Sequence, residues 1–115
     1  MIDVSAIEGE ELTAVEFVLD YVQLRFNGPM LTLYGWPHLL LADFSVAFGE
    51  PEYRNGLCAQ IGEKVTTASL EEGDALTIEF ESGTVIALSL REEDMDSPEA
   101  GGYSVTGSVE DQQEF

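Results

Sequence analysis

Residues 62–90 read GEKVTTASLEEGDALTIEFESGTVIALSL, and this stretch decides the fold. Ala75, Thr77, Glu79 and Glu81 fall on one side of a two-residue period while Leu76, Ile78 and Phe80 fall on the other, which is the pattern of a half-buried strand. Ser82-Gly83 follows as a tight-turn signal and residues 85–90 return, so 74–90 is read as a hairpin.

Residues 9–34, GEELTAVEFVLDYVQLRFNGPMLTLY, are a loose copy of the same stretch. Gly9 matches Gly62, Leu12 matches Val65 and Thr13 matches Thr66. A one-residue insertion then aligns Leu24 with Ile78 and Phe26 with Phe80, and a second aligns Gly28 with Gly83, Leu31 with Ile86 and Leu33 with Leu88. Each copy reads as three short strands in meander order. Asn27-Gly28 signals a type I′ turn, and Pro29, which has no N–H for a ladder, delays the return strand 30–34 by one residue or puts it at an edge.

The fold class expected is mainly β (α+β): two antiparallel β-meander repeats forming a sandwich or barrel-like roll, about six to eight strands, with one short helix between them. Residues 1–115 are expected to form a single domain, with repeat one at 9–34, a connecting segment at 35–61, repeat two at 62–90 and an acidic tail at 91–115. Within the connection, 39–48 reads either as a buried strand or as an apolar loop. Residues 52–61 place Tyr53, Leu57 and Ile61 on one helical face, shortened by Gly56. In the tail, residues 103–109 read as a last edge strand.

The doubled pattern carried by Gly62, Val65, Leu76, Phe80, Gly83 and Leu88 resembles that of small bacterial proteins of unknown function, some of which sit near toxin and immunity genes. The resemblance spans roughly residues 9–90. It implies a fold and an immunity-like role, and it carries no catalytic residue across.

Charge bounds the partners. With 23 Asp plus Glu against 4 Lys plus Arg, the net charge is −19. Such a surface repels nucleic-acid backbones and anionic membranes and favours a basic protein, although solubility or adaptation to a salty cytoplasm would also produce it. The acidic start, MIDVSAIEGEELTAVEF, lacks the basic and apolar regions of a signal peptide, and the single cysteine, Cys58, allows no internal disulfide; a cytoplasmic location is expected.

Chemistry is thin by comparison. His38 is the only histidine, so no histidine metal cluster and no two-histidine acid/base pair can form. Cys58 is read as a buried, inert thiol rather than as a nucleophile paired with His38. The run Glu92, Glu93, Asp94, Asp96 and Glu99 lacks the ligand spacing of a calcium loop and reads as a solvated acidic loop. No enzyme activity and no cofactor or metal is expected.

The aromatics give the better lead. Tyr34, Trp36, His38 and Tyr53 cluster around the joining segment and form the candidate interaction surface, although Trp36 also suits a plug at the end of the sandwich or barrel. The leading function is therefore a non-enzymatic, acidic interaction or immunity-like module that binds a basic partner. The alternatives are a small ligand-binding or enzymatic β-barrel with a pocket near Trp36 and His38, and a structural domain that buries a sheet face or edge in a homodimer.

Overall fold

In the computed structural model, which describes residues 2–95 and 97–115, the chain forms two antiparallel sheets of five strands each around one hydrophobic core. The first meander is β1 (Leu12–Phe17), β2 (Val22–Phe26) and β3 (Met30–Leu33). Two short strands follow, β4 (His38–Leu40) and β5 (Ser45–Val46), and then one helical segment, α1 (Tyr53–Cys58). The second meander is β6 (Val65–Glu71), β7 (Ala75–Phe80) and β8 (Val85–Ser89), followed by β9 (Gly101–Ser104) and β10 (Gln113–Glu114).

Strand order explains how the halves combine. One sheet runs β1-β2-β3-β9-β10 and the other β5-β4-β8-β7-β6. Each sheet therefore takes three strands from one meander and two from the other half of the chain. The registers correspond: Leu31 pairs with Tyr103 and Tyr103 with Gln113, while Ile86 pairs with Leu39 and Leu39 with Val46. The sheets do not close into a barrel, so of the two expected forms the sandwich-like one is observed.

The matched residues occupy matching places. Leu12 pairs with Phe26 and Val65 with Phe80, each followed by a bulge, and at each bulge a threonine hydroxyl, Thr13 or Thr66, donates to the carbonyl of Arg25 or Glu79 at 3.1 Å. The sheets join at one corner through reciprocal backbone bonds. Gly9 N–H donates to Val65 O and Gly62 N–H to Leu12 O, both at 2.8 Å; Leu12 N–H donates to Glu63 O and Val65 N–H to Glu10 O, at 3.1 and 3.0 Å. Gly9 and Gly62 have φ of +85° and +95°, a region that side-chain-bearing residues rarely occupy, which is why glycine opens both copies.

The core is built from the inward positions of both meanders. Leu12, Leu24, Phe26, Leu31 and Leu33 meet Val65, Ile78, Phe80, Ile86 and Leu88, all buried. Val4 and Ile7 beside the 3-10 turn Ser5–Ile7, and Tyr53 and Leu57 of α1, fill the flanks.

Several expectations are corrected. The Asn27-Gly28 loop is not a type I′ turn, because only glycines have positive φ among the described residues and Asn27 is therefore on the negative side. Of the two alternatives for Pro29 the delayed start is observed: strand β3 begins at Met30, directly after the proline, and is interior to its sheet, held by β2 and β9. The 39–48 stretch is divided between β4 and β5, with a turn between them. The helix ends at Cys58, which leaves Ile61 outside it and 44% exposed. Cys58 is exposed rather than buried, since α1 turns Tyr53 and Leu57 to the core and Cys58 away from it. The tail strand is 101–104 rather than 103–109; it is interior, and β10 forms the edge.

Among the described residues two ion pairs form, Arg25 with Glu16 at 2.5 Å and Arg91 with Asp74 at 3.8 Å, both on the surface where such pairs contribute little. Repulsion among the remaining carboxylates therefore dominates. The melting temperature is expected to rise between low salt and near-molar sodium chloride, because ions screen charges over about 8 to 10 Å or less. A thermal melt showing earlier unfolding in salt would mean that attractive pairs outweigh the repulsion.

Candidate functional site

The segment after β3, Tyr34-Gly35-Trp36-Pro37, leads into β4 and lies near the far end of β1, so residues from three parts of the chain meet there. Trp36, half-buried, stacks on Phe48 with ring centroids 4.1 Å apart and an interplanar angle of 11°. Phe17, at the end of β1, lies 6.4 Å from Trp36 in a nearly parallel orientation. Both phenylalanines also meet Tyr53 edge-on, at 6.5 and 5.7 Å, and the guanidinium of Arg54 sits 5.7 Å from the centroid of the Phe17 ring. These are favourable edge-to-face, offset-stacked and cation–π arrangements.

The outer side of this cluster is open. Phe48 is 44% exposed and the neighbouring Leu19, in the β1–β2 turn, is 89% exposed. Two depressions meet at Leu19 and Trp36. One, of about 410 Å³, is walled by Phe17, Val18, Phe48 and Arg54; the other, of about 620 Å³, is walled by Asp20, Tyr34, His38, Leu88, Ser89 and Asp94.

Of the four candidate residues, Tyr34, Trp36 and His38 line the larger depression together. His38 is exposed at the start of β4. Tyr34 donates its hydroxyl to the Glu114 carboxylate at 2.9 Å, tying the segment to β10; partial burial first, and then that carboxylate, raise its pKa. Tyr53 is placed differently. Its ring is 1% exposed, and its hydroxyl donates to the Pro37 carbonyl at 2.5 Å, so it holds the Trp36–His38 segment from beneath instead of offering a face to a partner. Burial raises the Tyr53 pKa strongly, because a phenolate there would lose its solvation.

Sequence reasoning missed Phe17 and Phe48. The alignment carries a faint signal for the first, since Phe17 takes the place that Leu70 takes in the second meander, at the end of the first strand. Nothing local marks Phe48, which the antiparallel β4–β5 pairing carries back beside Trp36.

The acidic run forms one exposed 3-10 turn, Glu92–Asp94, where Asp94 accepts from the Ser89 hydroxyl at 2.7 Å; Asp96 lies outside the described residues. Among the described residues no group of three or more His, Cys, Asp or Glu side chains is placed to hold a metal ion, and no helix is long and apolar enough to cross a membrane. No protein-family model, curated protein or solved structure matches the chain.

Proposed function

We propose that this chain is a non-enzymatic, acidic interaction module, immunity-like in role and bacterial and cytoplasmic in setting, that docks a basic protein on the surface around Trp36. One observation carries the reading: an aromatic cluster of Phe17, Trp36 and Phe48 with an open outer side, continued by Leu19, on a chain whose net charge is −19. Aromatic residues in partly desolvated clusters dominate binding energy, and surrounding carboxylates steer a cationic partner and hasten encounter. Tyr53 and Tyr34 fix the Trp36 segment before binding, which lowers the ordering cost of association.

A small-ligand reading draws on the depression between Tyr34, Trp36 and His38, whose size suits a ligand. Its breadth, continuous with the Phe17–Phe48 depression through Leu19 and Trp36, fits a macromolecular surface better.

Affinity capture at physiological salt from the source lysate, with the wild-type protein and with Trp36→Ala, tests the proposal. The expected result is a stoichiometric basic partner whose affinity falls by at least about 2 kcal/mol in the variant, mainly through faster dissociation. A partner indifferent to Trp36, or none at all, would leave the charge a matter of solubility.

A further inference from the structure

The two related edge strands, β1 and β6, are finished differently. In an antiparallel pair, successive residues turn their N–H and C=O alternately toward and away from the neighbouring strand. Val18 N–H donates to Tyr21 O and closes the β1–β2 turn, so Glu16 and Ala14 face β2, whereas Val15 and Phe17 turn their backbone groups outward. The same alternation on β6 turns Ala68 outward, and there the exposed amide is plugged: Ala68 N–H donates to the Glu8 carboxylate at 2.9 Å. Glu8 immediately precedes Gly9, and its counterpart before Gly62 is Ile61; their amides donate alike, to Ser5 O and Cys58 O. Ile61 is apolar and exposed and offers no acceptor. Among the described residues nothing accepts from the Val15 or Phe17 amide.

We propose that β1 is an open edge to which the basic partner adds an extended segment as a sixth strand, in a basic/apolar alternation; this rests on the interaction reading above. Beside that edge, the Phe17 side chain faces the inner side with the aromatic cluster, while Glu16 faces the outer side. An added strand sends alternate side chains to those two sides. Branched apolar residues would cover Phe17 and Ile61, and lysines or arginines would sit beside the exposed acids at either end, Glu11 and Asp20, since Glu16 is already held by Arg25. Charge selects this occupant over a second copy, because pairing two β1 edges would bring together two chains of net charge −19, with Glu11 and Asp20 of each at the ends of the shared ladder.

The test uses a capped synthetic peptide of alternating Lys and Val and a control of equal charge with proline in place of valine, which cannot form a ladder. The alternating peptide is expected to bind at least about tenfold tighter than the control and to slow amide exchange at Val15 and Phe17. Ile61→Glu, which copies the Glu8 plug on an exposed position, is expected to weaken the alternating peptide by about tenfold or more despite the added negative charge. Methylating the peptide nitrogens that face β1 should have the same effect. Equal binding of both peptides, with Ile61→Glu tightening them, would sink strand addition while leaving an acidic docking surface in place. Binding of neither at physiological salt would overturn both readings. Exchange protection at β6 or β10 rather than β1, or self-association with β1 protected in the absence of peptide, would also overturn the assignment of this edge to a basic partner.

Discussion

Phe80→Ala is expected to destabilise the protein by about 3 to 5 kcal/mol, and Phe26→Ala by a similar amount, because each ring ends a strand of its meander deep in the shared core. Phe80 is 1% exposed and pairs with Val65 beside the bulge, and Phe26 holds the corresponding place opposite Leu12. Removing either ring leaves a cavity next to the corner where the Gly9, Leu12, Gly62 and Val65 backbones bond across the sheets, and that rigid junction cannot collapse to fill it. Since small domains are stable by only about 5 to 15 kcal/mol, either change removes a large share of the total. Chemical denaturation of the two variants checks this: a loss below about 1 kcal/mol in either would show that its ring is not a core element.

Raising the pH above about 10 is expected to destabilise the fold, with Tyr53 as the main cause. In the unfolded chain its phenol ionises near pH 10, but in the folded chain burial holds it protonated well beyond that. The stability from this difference is fully present below the unfolded pKa and is lost as pH rises through the interval. The loss approaches about 1.4 kcal/mol for each pH unit. Tyr34 and Tyr103 are also shifted upward, first by desolvation and then by nearby carboxylates, and act in the same direction. At neutral pH, Tyr53→Phe should cost about 1 to 3 kcal/mol, since the Pro37 carbonyl loses its buried donor. The same variant should lose stability less steeply between pH 10 and 12, as followed by urea melts. A pH slope unchanged by the substitution would place the alkaline sensitivity elsewhere.

The meanders were legible because Leu76, Ile78 and Phe80 alternate cleanly with Thr77 and Glu79, and because the copy at Leu24 and Phe26 repeats the alternation and is likewise followed by a glycine turn. The two insertions needed to align the copies also have structural counterparts. The Leu70–Leu76 pair encloses five residues where the Phe17–Val22 pair encloses four, and Phe80 N–H reaches Thr84 O across three residues where Phe26 N–H reaches Pro29 O across two. The exchanged strands were not legible. β9 begins with Gly101-Gly102, which carry no strand preference of their own; a Cβ at Gly101 would lie 2.3 Å from the Thr32 carbonyl oxygen, so tertiary closeness selects the residue. The candidate site was half legible, for a similar reason. Trp36 and His38 stand out by type, but whether Tyr53 faces solvent or supports Pro37 depends on how α1 meets the loop. Likewise Phe17 and Phe48 join Trp36 only through long-range folding.

The exchange of strands between the halves has a consequence for biosynthesis. A nascent chain that has emerged through β5 carries a three-stranded meander whose β3 edge has no neighbour, and a pair, β4 and β5, whose sheet has not yet been made. Neither sheet can be completed until the second half has left the ribosome, so folding waits on contacts between residues far apart in the chain, such as Leu31 with Tyr103. During that interval the β3 edge is bare and able to pair with a strand of another chain, and the carboxylates that later give the folded protein its charge oppose the approach of neighbouring nascent chains.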